Sequence, residues 1–124
     1  MTDRLEASDL VDLINGATDA LRVHKEEINS MNVFPVPDGD TGTNMLLTMQ
    51  AVQEAIEDNN NLDMASLCRA ISRGSLMGAR GNSGVILSQI LKGMTEVMVE
   101  VEAVDIEMMA QAINNGSDVA YRAV

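Results

Sequence analysis

The chain has 124 residues, of which 46% are hydrophobic and only 2% aromatic, and nineteen acidic residues against eight basic ones give it a net charge of −11. This length predicts one domain, whose core must be aliphatic and rich in methionine. The strong negative charge argues against nucleic acid or an anionic membrane as a partner.

The expected cellular location is based on the cysteine content and on the lack of a visible signal peptide or membrane span in this sequence. Cys68 is the only cysteine and therefore cannot form an internal disulfide, which fits a reducing compartment. The first residues show no basic and then apolar run typical of a signal peptide, and no apolar stretch approaches the ~20 residues of a membrane span. We therefore expect a cytoplasmic protein without stable membrane insertion.

Apolar residues recur at helical spacing along most of the chain and predict five helices. The expected helices, with their capping residues, are residues 9–29 after Ser8, 44–58 after Thr43, a third after Asp63, a fourth after Gly84, and 105–124 starting at Asp105. The last pattern runs to the final residue without a helix C-cap, from which we expect a fragment of a longer protein.

The stripes of these helices predict which side chains face the core. In the first helix they are Leu10, Leu13, Ile14, Ala17, Leu21 and Ile28, and in the last Ile106, Met109, Ala110, Ile113 and Ala120. His24 falls on the first stripe and is expected at its boundary rather than on a metal, since no second histidine exists. Cys68 is surrounded by apolar residues, so we expect a core residue and not a nucleophile.

One acidic loop between the first two helices carries the strongest chemical signal. Asp38 and Asp40 are two residues apart and should point to the same side of an extended chain. Two carboxylates about 4 Å apart repel by about 4 kcal/mol at an effective dielectric of about 20. A hard cation such as Mg²⁺ or Ca²⁺ would relieve this repulsion, and the helix start at Asn44 offers N–H groups to an anion.

Other structures could contain the same string. An Asx-rich turn without any ligand is an open alternative. An EF-hand is disfavoured because Thr43 and Met49 stand where the motif needs glycine and glutamate. A haloacid-dehalogenase-type aspartyl phosphotransferase needs a buried strand before the first aspartate, which Pro35 and Pro37 oppose. A P-loop is excluded, since no Gly-Lys-Ser/Thr string occurs.

A run of glycines joins the third and fourth predicted helices. Gly74 and Gly78 would let another helix or a ligand approach closely. The turn of Gly81, Asn82, Ser83 and Gly84 precedes an apolar helix and could surround phosphate oxygens with backbone N–H groups. A plain helix–helix turn is the alternative, which the acidic loop makes less attractive.

Two long motifs carry a family resemblance. They are Asn32-Val-Phe-Pro-Val-Pro-Asp-Gly-Asp-Thr-Gly-Thr-Asn-Met45 and Gly78-Ala-Arg-Gly-Asn-Ser-Gly-Val-Ile-Leu-Ser-Gln89. Together they resemble the nucleotide-binding domain of bacterial fatty acid kinases, within the dihydroxyacetone kinase L-subunit family. The resemblance extends over essentially the whole chain. It implies an all-α, antiparallel helical barrel or bundle, of which residues 1–124 would be an incomplete N-terminal portion of the ATP-binding domain with about five helices.

The resemblance also implies a site for ATP or ADP and two Mg²⁺ ions. Asp38 and Asp40 match the metal ligands, and Asn32 is the nearest counterpart of a third aspartate of dihydroxyacetone kinases, so the second ion is in question. The matched nucleotide contacts are Thr41, Asn44, Met45, Gly81, Asn82, Ser83, Gly84 and Leu87, with Met45 and Leu87 at the adenine end. Arg80 is a candidate phosphate contact on charge alone. No residue matches a general base or a nucleophile.

The implied reaction is phosphoryl transfer from ATP to a fatty acid carboxylate, presented by a separate fatty-acid-binding protein, to give an acyl phosphate. Asn32 and the proline-containing run favour this reaction over the alternative, a dihydroxyacetone kinase L-subunit. A non-enzymatic metal-binding helical module is the third hypothesis. If helices are missing, exposed apolar faces could also lead the chain to form a homo-oligomer.

Overall fold

The computed structural model describes residues 4–31, 39–59 and 63–123. Within these ranges five helices account for nearly all of the regular structure, which confirms the all-α class. The elements are β1 (Arg4–Glu6), α1 (Ala7–Ser30), α2 (Thr41–Glu57), α3 (Met64–Gly78), α4 (Gly81–Met98), β2 (Ala103–Asp105) and α5 (Ile106–Ala123).

Helices that follow one another in the chain pack side by side. α1 and α2 are antiparallel: Asn29 near the end of α1 bonds to Thr43 at the start of α2, whereas Asn15 earlier in α1 bonds to Gln53 late in α2. α2 also packs against α4, so that it contacts three other helices. This central position of α2 brings its first turn between the end of α1 and the start of α4.

The core is aliphatic and contains methionine, as the composition predicts. Its fully buried members include Val52 and Leu67, and the buried cluster also takes in Met49, Met64 and Met98. Unbranched methionine side chains fill the irregular gaps that aromatic residues would otherwise occupy. Among the described helices, none is long and apolar enough to cross a membrane.

The predicted close approach at Gly74 and Gly78 is confirmed, and α2 is the partner. A Cβ at Gly74 would lie 2.7 Å from the Cβ of Ala55, and one at Gly78 would lie 2.1 Å from the Cβ of Ala51. Real Cβ atoms do not come this close, so α3 can contact α2 here only without side chains.

The predicted caps of α3 and α5 are confirmed. The carboxylate of Asp63 accepts a hydrogen bond from the backbone N–H of Ser66 at 2.7 Å, and that of Asp105 accepts one from Met108 at 2.8 Å. Asn59 is in the loop before α3, as predicted, and Asn60 and Asn61 lie outside the described residues.

The start of α1 differs from its prediction. The helix begins at Ala7, with Glu6 and not Ser8 as its N-cap. The backbone N–H of Glu6 donates to the carboxylate of Asp9 at 2.9 Å, which fixes the first turn. The antiparallel pairing of Leu5 with Val104, which the sequence did not predict, holds the preceding residues extended.

The inward faces of the first and last helices also need correction. In α1, Leu13 is 51% exposed and Ala17 is exposed, while Thr18 is buried because its hydroxyl donates to the backbone oxygen of Ile14. In α5 the residues predicted inward but found exposed are Ile106, Ala110 and Ile113. The buried residues of α5 are Ala112, Gly116, Val119 and Ala120, so of the predicted stripe only Ala120 is buried.

His24 is exposed and lies within 3.1 Å of the carboxylate of Glu27, one turn along α1. Its side chain is 56% exposed, so it lies further from the core than the boundary position predicted for it. Within the described part of the chain, no group of three or more Asp, Glu, His or Cys side chains comes together as a candidate metal site.

Candidate functional site at the starts of α2 and α4

The first turns of α2 and α4 lie side by side. The hydroxyl of Ser83 in α4 donates to the backbone oxygen of Thr41 in α2 at 3.3 Å. The first N–H groups of any helix lack partners within that helix and carry its positive partial charge. Two such ends meet here, which is an arrangement suited to an anion with several oxygens.

The start of α4 differs from the prediction in a way that matters for the site. Gly81, Asn82, Ser83 and Gly84 are the first turn of α4 itself and not a loop before it. The connection from α3 therefore consists of Ala79 and Arg80 alone. As a result, the N–H groups of the glycine-rich motif are those of a helix N-terminus.

Asn44 lies directly against this turn. Gly81 adopts a φ of +65°, which disfavours residues with a side chain, and a Cβ there would lie 2.3 Å from the amide nitrogen of Asn44. The backbone conformation and the available space thus both require glycine. Asn44 is half-buried, so its amide remains partly accessible beside the start of α4.

Thr48, one turn beyond Asn44, locks the two helices in register. Its hydroxyl accepts a hydrogen bond from the backbone N–H of Arg80 at 3.2 Å and donates to the backbone oxygen of Asn44 at 2.8 Å. A Cβ at Gly84 would lie 2.5 Å from this hydroxyl oxygen. The threonine is fully buried, so it acts from beneath the site and not as a ligand.

The start of α2 is held by α1. The amide oxygen of Asn29 accepts from the backbone N–H of Thr43 at 3.1 Å, and its amide nitrogen donates to the Thr43 hydroxyl at 3.0 Å. A Cβ at Gly42 would lie only 2.6 Å from the backbone oxygen of Lys25. The helix therefore begins at Thr41 and not at Asn44 as predicted, since Asn29 caps it from outside and Gly42 permits the approach.

Asp40 is the N-cap of α2, and its backbone oxygen accepts from Asn44 at 2.9 Å. Its half-buried carboxylate makes no capping hydrogen bond to the N–H groups of α2. It precedes the two helix ends directly, where a divalent cation could bind to both the carboxylate and a phosphate. Asp38 and Asn32, the other two predicted metal ligands, lie outside the described residues.

The structure brings most predicted nucleotide contacts together. Thr41, Asn44, Gly81, Ser83 and Gly84 gather where the two helices start, by the contacts given above. Asn82 is exposed in the first turn of α4, and Arg80 is exposed immediately before it.

The two residues predicted at the adenine end are both on these helices. Met45 is half-buried in the first turns of α2, whereas Leu87 packs against the core cluster. A leucine engaged in this way offers only part of its side chain to a ligand.

Sequence reasoning missed Asn29 and Thr48. Neither belongs to a recognisable local motif, since Asn29 acts on a residue 14 positions away and Arg80 binds Thr48 across 32 positions. The only available signal was the spacing of Thr48 one helical turn after Asn44, on the face that meets α4.

Cys68 is fully buried in α3, as predicted, and takes no part in this site. Burial raises the pKa of its thiol to about 11, although the charge of Arg69 acts in the opposite direction. A buried thiol with a raised pKa stays protonated at neutral pH, which agrees with the predicted core residue.

Comparison with known proteins places the chain in a family. The sequence model of the DAK2 domain matches residues 35–124. The chain belongs to the DAK2 domain family. It is thus a dihydroxyacetone kinase L-subunit-like module with a kinase-related fold. The match includes the acidic loop from Pro35 onward and the first turns of α2 and α4, but not Asn29.

Similar proteins occur in staphylococci. The chain is 40% identical over its full length to an uncharacterized protein of Staphylococcus saprophyticus, covering 22% of that protein. It is 39% identical over its full length to uncharacterized proteins of Staphylococcus epidermidis and Staphylococcus aureus, covering 22% and 23% of them. The DAK2 chain thus spans less than a quarter of the length of these relatives.

Proposed function

We propose that this DAK2 domain binds Mg·ATP where α2 and α4 begin, as the nucleotide site of a kinase that phosphorylates a fatty acid carboxylate. The observation that carries the proposal is the contact between Ser83 and Thr41, which sets two helix N-termini side by side next to the carboxylate of Asp40. Phosphate oxygens suit the helix ends, and a divalent cation suits the carboxylate.

Each group of residues has a distinct task in this proposal. The first N–H groups of α4, including that of Ser83, bind phosphate oxygens, and Asn44 and Thr41 orient them from α2. The hydroxyl of Ser83 holds the two helix starts together through the backbone oxygen of Thr41. Asp40, together with Asp38 and Asn32 from the preceding loop, would hold up to two Mg²⁺ ions. Bound Mg²⁺ would neutralise the charge that spreads over the transferred phosphoryl group. Met45 and the accessible part of Leu87 would contact the adenine.

The domain offers positioning and charge neutralisation but no convincing base. This fits phosphoryl transfer, which needs little covalent chemistry from the protein. The resemblance of the two motifs favours a fatty acid carboxylate on a separate binding protein as acceptor, with an acyl phosphate as product. Membership in the DAK2 family equally supports dihydroxyacetone, presented by its own partner subunit, as a second candidate.

Calorimetry with ATP, in the presence and absence of Mg²⁺, tests the nucleotide site. We expect tight binding only with Mg²⁺, and a loss of at least tenfold in Asp40→Asn, because even outer-shell partners of a metal typically contribute about 10–100-fold. Asp12→Asn is the matched control, since Asp12 is exposed on the part of α1 remote from the site. Binding of Mg²⁺ without nucleotide would instead support a metal-binding module.

The acceptor is tested on the longer protein, because the chain spans less than a quarter of its relatives. ADP release is followed with a fatty acid on its binding protein and, separately, with dihydroxyacetone on its partner subunit. We expect release only with the fatty acid. Release with dihydroxyacetone alone would leave the nucleotide site intact and overturn the proposed acceptor.

A further inference from the structure

Three of the eight basic side chains lie along one surface of α3 and α4, away from the proposed nucleotide site. Arg69 and Arg73 are one helical turn apart on α3 and are both exposed. Lys92 of α4 lines a groove together with Arg69 and Ser72. We call this surface the α3 basic face; its residues are Arg69, Ser72, Arg73, Leu76, Met77 and Lys92.

The cations of this face have an acidic neighbour but no ion pair within the described part of the chain: Asp58, which follows α2, lines a pocket with Arg69 and Arg73. Among the described residues, none of the three forms an ion pair, whereas Arg22 and Lys25 pair with Asp19 and Glu26 on α1. Arg69 makes one long hydrogen bond, 3.4 Å, to the hydroxyl of Ser66. Glu96 lines the groove near Lys92, but its carboxylate already accepts a hydrogen bond from Asn115 at 3.1 Å.

Large apolar side chains continue the same face toward the end of α3. Leu76 is 44% exposed and Met77 is 82% exposed, and both line a shallow groove of about 360 Å³ with Arg69, Ser72 and Arg73. Methionine and arginine are enriched at protein–protein interfaces relative to the rest of the surface. An exposed methionine beside two arginines is therefore a combination that suits a polypeptide partner.

We propose that the α3 basic face docks an acidic polypeptide segment that also carries apolar side chains. Carboxylates of the partner would pair with Arg69 and Arg73, and its apolar residues would cover Leu76 and Met77. The proposal does not depend on the proposed phosphotransferase activity.

Charge decides between this partner and other anions. A nucleic acid or an anionic membrane extends well beyond the groove and would come close to many of the acidic residues that give the chain its net charge of −11, which would repel it. Charges separated by more than about 8 Å are largely screened at physiological salt, so a short acidic segment responds mainly to the local cations. A nucleic acid offers phosphates to the cations but no apolar side chains to cover Leu76 and Met77. An anionic membrane accepts both cations and apolar side chains at its surface, so vesicles are one of the probes below.

Fluorescence anisotropy with a synthetic peptide tests the proposal on this chain. The probe is a labelled peptide of about 20 residues, long enough to form a helix, with glutamate and leucine on one face. Two further peptides, with glutamine for glutamate or serine for leucine, separate the charged and the apolar contributions. A poly-thymidine oligonucleotide and phosphatidylglycerol vesicles are the alternative probes.

The decisive variant is Arg69→Glu/Arg73→Glu, and its matched control is Arg22→Glu/Arg122→Glu, which changes the net charge equally at exposed sites off this face. Because exposed charge pairs are individually weak, we expect roughly tenfold weaker binding of the glutamate–leucine peptide for the first variant and less than twofold for the control. Met77→Ser should weaken binding at both low and high salt. Circular dichroism checks that all variants remain helical.

Three results would overturn the proposal. One is no binding of the glutamate–leucine peptide, or binding equal to that of the glutamine peptide. Another is equal loss in the decisive variant and its control. The third is tighter binding of the oligonucleotide or the vesicles through Arg69 and Arg73, which would assign the face to a polyanion.

Discussion

A single amide, that of Asn29, determines where α2 begins. It satisfies both the backbone N–H and the hydroxyl of Thr43, at 3.1 and 3.0 Å. Without it, a half-buried N–H in the first turn of α2 would lose its partner, and the helix start that follows Asp40 would lose its side-chain bonds to α1. Asn29 is therefore a positioning residue for the proposed site, acting through Thr43.

Asn29→Ala should lower the free energy of unfolding by about 1–3 kcal/mol, the usual cost of leaving a buried donor unpaired. Asn29→Asp keeps an acceptor for the N–H of Thr43 and should lose less. Asn15→Ala is the control, because it removes a single exposed hydrogen bond to Gln53 in the same pair of helices. Urea unfolding measures all three, and equal losses for Asn29→Ala and Asn15→Ala would refute the positioning role.

The raised pKa of the Cys68 thiol should make the free energy of unfolding depend on pH. Burial raises its pKa from 9.0 to about 11, so between these values the unfolded chain releases a proton that the folded chain keeps. Its contribution to stability is therefore complete below pH 9 and is lost as pH rises toward 11. Urea unfolding across this range should show a downward slope that is smaller in Cys68→Ala. Equal slopes in the two proteins would contradict the raised pKa.

Two glycine-to-alanine substitutions should have opposite effects on helix stability. At Gly78 a methyl group would lie 2.1 Å from the Cβ of Ala51, whereas at Gly16 nothing lies within 4 Å. Gly78→Ala should therefore cost about 1–3 kcal/mol by pushing α3 off α2. Gly16→Ala should stabilise α1 by about 0.4–1 kcal/mol, since alanine restricts the unfolded chain.

Thermal and urea unfolding measure both variants, and a compensating change identifies the cause at Gly78. Ala51→Gly removes the methyl group that the new side chain would meet. We expect the pair Gly78→Ala/Ala51→Gly to lose less stability than the sum of its two single changes. Simple additivity would mean that the contact between the two helices is not what Gly78 preserves.

At the scale of elements, the sequence predicted which segments are helical but not all of their ends or faces. The starts of α3 and α5 were predictable because Asp63 and Asp105 cap them locally. The start of α2 was not, because its cap comes from another helix. The three-residue strands β1 and β2 are too short to show an alternating pattern, and their pairing depends on contacts across the whole chain.

The prediction for the inward face of α5 was wrong because α5 packs closely on α4 through its small residues and not through its large apolar ones. A Cβ at Gly116 would lie 2.7 Å from the backbone oxygen of Ile90 in α4. The side of α5 with small residues can therefore come nearest to α4, and the larger Ile106 and Ile113 remain exposed. A stripe of apolar residues marks the inner face reliably only where helices pack at ordinary distances.

At the scale of the whole molecule, the site unites segments that the sequence showed only separately. The acidic loop and the glycine-rich turn were recognisable as local motifs, and Ser83 and Thr41 meet across 42 positions. The contacts that hold these two motifs together could not be predicted, because Thr48 belongs neither to a helix cap nor to either motif. Motifs thus identified residues that meet where α2 and α4 begin, while their supporting contacts required the fold.

The overall charge leads to a last prediction. A net charge of −11 destabilises the folded chain by self-repulsion, which salt weakens as the screening length falls to about 10 Å at 0.1 M. The melting temperature should therefore rise with added NaCl. At equal ionic strength MgCl₂ should raise it further if Asp38 and Asp40 bind the ion, because a ligand that binds only the folded chain stabilises it.

Asp40→Asn separates screening from specific binding in this experiment. The variant loses one charge of the pair, so it should retain the response to NaCl and lose most of the additional stabilisation by MgCl₂. Asp12→Asn has the same net charge and should behave like the unmodified chain. If all three proteins gained equally from MgCl₂, the ion would be acting only on the general charge, and the proposed metal site next to α2 would have no support from Asp40.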